Sequence, residues 1–139
     1  MIDNNSPISL LVKDLETDIQ SAYEQGVTME QAERLAAKFL AAQIKIAEAL
    51  RVFDLDAKMK KSGTKAIKAA VYLSEIQGKE KKPTEAQLTA IIDSSEIVTQ
   101  QQEALDTAEV DRDFLQNILN IAKDGHIFLR TVARGTFSG

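Results

Sequence analysis

The sequence predicts an all-α protein, an elongated helical bundle or hairpin of four to five helices, two of them long. Three observations predict it. Only two prolines and six glycines occur in 139 residues, too little turn punctuation for a sandwich or barrel of this length. The apolar share is 44% but the aromatic share only 5%, with Ala, Leu and Ile carrying most of it, as in helices that pack closely on one another. Apolar residues also recur every three or four positions over long stretches, the period of one helix face. A chain of this size is expected to form one domain over 1–139, with a core that needs no disulfide or metal as a staple.

The first helix is expected over 6–25. Ser6 is its N-cap and Pro7 its first helical residue, Ile8, Leu11, Leu15, Ile19 and Ala22 follow at helical spacing, and Gly26 stops it. Thr28 with Gln31 three residues on reads as a capping box. A long helix over 28–77 starts there, carried by Leu35, Phe39, Ala42, Ile46, Ala49 and Phe53. Ser62-Gly63-Thr64 can break this helix or merely weaken it, by about 1 kcal/mol for the glycine, and the reading taken is continuation to Gln77 with room for a bend at 62–64. Gly78 supplies a stop, and Lys79-Glu80-Lys81-Lys82-Pro83 makes 78–83 the clearest loop.

Thr84 with Gln87 is a second capping box and opens a short helix over 84–93 through Leu88, Ile91 and Ile92. Asp93-Ser94-Ser95-Glu96 repeats the start signal for a long helix over 95–133. Val98, Gln101, Leu105, Ala108, Leu115, Leu119 and Ala122 define its buried face, and Val110, Phe114 and Ile118 widen it. Gly125 is a possible interruption, and 135–139 reads as a loose tail. Helices this long and apolar on more than one side cannot easily hide every stripe within a small chain, so a homo-oligomer with coiled-coil contacts is expected, the long C-terminal helix holding subunits together. A monomeric antiparallel bundle is the alternative.

The absence of cysteine excludes disulfides, thiolate-held metals and thiol catalysis, and fits a reducing cytoplasm. Met1-Ile2-Asp3-Asn4-Asn5 shows no basic region followed by an apolar core, and no apolar run approaches bilayer-spanning length. Neither export nor a membrane partner is therefore expected. No phosphate-binding glycine loop, nucleophile elbow or zincin helix occurs. His126 is the single histidine, without a second one for ligation or relay, and Asp106, Glu109 and Asp113 read as the wet face of a helix. No enzyme activity, catalytic residue, cofactor or metal is expected.

Charge is the informative feature. The net charge is −4, but residues 57–83 carry eight lysines against Glu75 and Glu80, a local +6, while residues 84–113 carry eight acids against Arg112, a local −7. On a helical wheel Lys58, Lys61, Lys65 and Lys68 fall within an arc of about 80°, with Tyr72 joining it one turn on. Met59, Gly63, Ala66, Ile67, Ala70 and Ser74 lie roughly opposite, where the core is expected. Lysines in a row can follow a phosphate backbone by displacing its counterions, and a tyrosine beside them can stack on a base, which points to single-stranded nucleic acid. The same row could equally be a solvated face, or pair with acids of its own chain.

The segment Lys65-Ala66-Ile67-Lys68-Ala69-Ala70-Val71-Tyr72-Leu73-Ser74 resembles the lysine-rich stretch, followed by aromatic and small residues, of the UvsY-like recombination mediators of tailed bacteriophages. The likeness extends more weakly to Leu11 through Ile19 and to Leu115, Ile118, Leu119, Gly125 and Ile127. It implies a ring-forming, host-cytoplasmic protein that binds single-stranded DNA. Such a protein helps load a RecA-like recombinase against competition from a single-strand-binding protein. The family's DNA contact carries over to Lys68, with Lys65 as a neighbour. A second basic position of that motif falls on Ala70 here, which lowers the expected hold on DNA. A different class fits the same stripes: a phage structural or assembly protein, a virion or scaffold subunit, whose lysines meet acidic segments such as 103–113 of a neighbouring copy.

Overall fold

The computed structural model describes residues 2–135, all helix and connector with no strand among them. There are four helices: α1 (Pro7–Gln25), α2 (Met29–Ile76), α3 (Glu85–Ser94) and α4 (Glu96–Ala133). The expected loose tail lies outside the described residues except for Gly135. Each start follows the local chemistry of its cap. Ser9 N donates to Ser6 Oγ at 3.3 Å ahead of α1. In the two capping boxes Gln31 N donates to Thr28 Oγ1 at 3.2 Å, and Gln87 N to Thr84 Oγ1 at 3.2 Å. Each glutamine side chain accepts in return from the threonine N–H. These bonds satisfy amides that a helix start leaves without partners.

The two long helices expected over 28–77 and 95–133 are both continuous. α2 runs 48 residues without interruption through Ser62-Gly63-Thr64, and α4 runs 38 residues through Gly125. In both, packing outweighs the small propensity cost of one glycine. At residue 125 an added Cβ would stand 2.7 Å from Cε2 of Phe39, so a larger residue there would have to displace that ring.

The described residues form two compact units: one from 2–52 with 111–135, the other Phe53–Val110. In the first, α1, the start of α2 and the end of α4 enclose a core of Leu15, Ala32, Ala36, Phe39, Ala42, Ile46, Leu119, Ala122 and Leu129. The alanines bring the backbones close, and Phe39 and Ile46 fill what remains. Lys38 on α2 reaches Asp18 at 2.7 Å and Asp14 at 2.9 Å on α1, and the hydrogen bonds its ammonium donates to both carboxylates, Asp18 first, raise its pKa above the usual 10.5. His126 on α4 donates from Nδ1 to the Ala36 carbonyl at 2.9 Å, since a carbonyl oxygen can only accept.

In the second unit the end of α2, α3 and the start of α4 pack around Ala57, Thr64, Leu88, Val98, Leu105 and Ala108. Thr64 is buried at no polar cost because its hydroxyl donates to the Lys60 carbonyl at 2.8 Å. The face of α2 turned to α4 is therefore not the expected one. Ala57 and Thr64 are buried and Ile67 and Val71 half-buried, whereas Met59 is 66% exposed and Ala66, Ala70 and Ser74 also face outward. Small side chains at 57 and 64 allow the closer approach of α4, and this decides the rotation of the helix.

Candidate nucleic-acid interface

All five residues singled out from the sequence lie on α2 within the second unit. Residues 58 to 68 cover about 15 Å of helix axis. Because α2 is rotated, their arc lies beside the buried face rather than opposite it, and the five differ in environment. Lys58 is held by Asp54 one turn earlier, Nζ to Oδ2 2.9 Å, yet its side chain is 70% exposed. Lys68 is half-buried and reaches across to α4, where its ammonium donates to Gln102 Oε1 at 3.5 Å. Lys61 and Lys65 are exposed and, among the described residues, form no ion pair. Tyr72 is 43% exposed at the end of the row.

Electrostatically the row is open. Its one carboxylate contact is a solvent-exposed i,i+4 pair, and such pairs are worth about 0.3–0.5 kcal/mol, little enough for a phosphate to displace. Gln102, neutral, donates its own amide to Asp106 at 2.9 Å, so Lys68 is oriented without being neutralised. Lys60 lies off the row and is engaged by Asp56 at 2.9 Å, and Lys79 is engaged by Glu75 at 2.8 Å. Lys81 and Lys82 stand exposed in the connector that follows. Asp54 and Gln102 are the contacts of the row that the sequence reading did not name. The Asp54–Lys58 pair is legible as an i,i+4 spacing, whereas the Lys68–Gln102 contact spans 34 residues and depends on how two helices register.

In the first unit an open apolar groove of about 560 Å³ is lined by Ile19, Tyr23, Phe39, Ile121, Phe128 and Leu129 among others. Tyr23 is 87% exposed and Ile121 49%. The groove walls are mainly apolar, with Asp18 and Asp124 among the lining residues. Among the described residues no group of three or more His, Cys, Asp or Glu could hold a metal, and no helix is long and apolar enough to cross a membrane. No family model, curated protein or solved structure matches the chain.

Proposed function

We propose that this chain is a non-enzymatic, homo-oligomeric protein that binds single-stranded DNA along the lysine row of α2 and assists the loading of a RecA-like recombinase. The observation that carries the DNA reading is the pair Lys61 and Lys65, exposed, without carboxylate partners, on the side of the helix that also carries Lys58, Lys68 and Tyr72. A row this short binds weakly on one subunit and strongly salt-dependently, so assembly multiplies the contacts through effective concentration. The recombinase role and a ring of subunits rest on the UvsY-like resemblance of residues 65–74.

Replacing Lys65 and Lys68 together by Ala tests the reading. Helicity should be unchanged, and oligothymidylate binding should weaken with a flatter dependence on salt, by up to about two counterions per subunit. Wild-type affinity in the double variant overturns it.

The exposed apolar side chains on α4 in the first unit, Phe114, Ile121 and Ile127, favour a second reading in which the chain is a virion or scaffold subunit and the lysines meet acidic faces of neighbours. Titrating labelled single-stranded DNA at two salt concentrations separates the two. A structural subunit retains none near physiological salt.

A further inference from the structure

The open groove of the first unit, about 560 Å³, has the size of a small-molecule site, roughly 300–1,000 Å³. Small residues open it. Ala22 lies on α1, Gly26 at the C-cap of that helix and Gly125 on α4, where a Cβ would run into the Phe39 ring. Each wall then carries one carboxylate and one aromatic ring: Asp18 and Tyr23 on α1, Asp124 and Phe128 on α4. The buried ring of Phe39 on α2 lies behind them. Three of the chain's five Phe and two Tyr therefore meet at this one groove.

The charge of the lining has one sign. No Lys, Arg or His is among the lining residues. Asp18 is engaged by Lys38 at 2.7 Å, but Asp124 is exposed and, among the described residues, forms no ion pair. An unneutralised carboxylate thus stands beside apolar and aromatic walls, and that combination suits a cation that also has apolar surface to bury.

We propose that this groove binds a small organic ammonium. Its apolar body fills the space bounded by Ile19, Ile121 and Phe39, and its charge is held by the Asp124 carboxylate and by the electron-rich rings of Tyr23 and Phe128. Other ligand classes fail on the same lining. An anion meets two carboxylates and no basic residue. A bare metal ion has no use for apolar walls, and no group of three or more acidic or histidine ligands exists for it among the described residues. A neutral apolar molecule gains the burial but neither the carboxylate nor the cation–ring attraction. The proposal is independent of DNA binding, because the lysine row belongs to the other unit.

Three probes with one apolar body and different charge test it: 2-phenylethylammonium, 2-phenylethanol and 3-phenylpropionate. Amide NMR titration of the full chain should rank them in that order, the cation about tenfold tighter than the alcohol. The largest shifts are expected at Ala22, Gly26 and Gly125. Asp124→Asn should remove most of the cation's advantage and leave binding of the alcohol unchanged. Tyr23→Leu, which keeps the wall apolar, should remove part of it. Asp106→Asn makes the same charge change in the other unit and should leave the advantage intact. Equal affinity for the three probes overturns the proposal, and this comparison uses the wild type alone, so it decides whether or not a variant folds. Equal loss in Asp124→Asn and Asp106→Asn also overturns it, since the attraction would then be to net charge. Cation binding that weakens as protein concentration rises gives the groove to a second copy and overturns it as well.

Discussion

Gly125 and Phe39 define each other: the ring of Phe39 occupies the space in which any other residue at 125 would place its Cβ, 2.7 Å from Cε2. Phe39 is 2% exposed, so the ring has core on its other sides. Gly125→Ala gains about 1 kcal/mol of helix propensity but overpacks the core by about 1–3 kcal/mol, and the net effect is destabilising. In a Phe39→Leu background the clash is relieved and the same substitution should become stabilising by about 0.5–1 kcal/mol. Thermal or urea unfolding of the four proteins checks the reversal of sign.

Lys38 gives a pH prediction. Its pKa is raised in the folded chain by Asp18 and then Asp14, so the folded state binds this proton more tightly than the unfolded state. The stability it contributes is fully present below pH 10.5, the ordinary lysine value, and is lost as pH rises through the higher folded value. Lys38→Met should remove part of the stability at neutral pH and flatten its decline above pH 10.5. The side chain is 39% exposed, so solvent screening keeps the effect small. Unfolding midpoints of both proteins across the alkaline range measure it.

The capping box at Thr84 predicts a local effect. Thr84→Ala removes the acceptor of the Gln87 N–H at 3.2 Å and should cost about 1 kcal/mol. Hydrogen exchange should report the loss chiefly within Glu85–Ser94, with α1 amides unaffected. Uniform loss of protection across both units would contradict a local role.

Asp54 competes with DNA for Lys58. Asp54→Asn releases the ammonium from its 2.9 Å contact and removes a negative charge beside the row. Oligothymidylate affinity should rise, by up to roughly fivefold for an exposed pair of this kind. An unchanged or weaker affinity would place Lys58 outside the interface.

Legibility in the sequence followed the range of the interaction. Helix starts at Ser6, Thr28 and Thr84 were readable because each is settled by a hydrogen bond within three residues. The buried face of α4 was readable because Leu105, Leu115, Leu119 and Ala122 are apolar wherever the partner helix lies. The buried face of α2 in the second unit was not. Ala57 and Thr64 became core through size and a hydroxyl satisfied on its own helix, while the larger Met59 stayed outside, and hydropathy ranks these the other way. That misreading also set the lysines opposite the core rather than beside it. The continuation of α4 through Gly125 agrees with the helix expected over 95–133, but the contact made there was not legible, because Phe39 lies 86 positions away in sequence, beyond the reach of local propensity.

The connector between α2 and α3 has one more consequence. Residues 77–82 are exposed and carry Lys79, Lys81 and Lys82, and Pro83 is half-buried. No buried side chain occurs between Thr64 and Leu88. Backbone scission there would remove a tether and no core, so a trypsin-nicked molecule should migrate as two peptides when denatured and as one species when native.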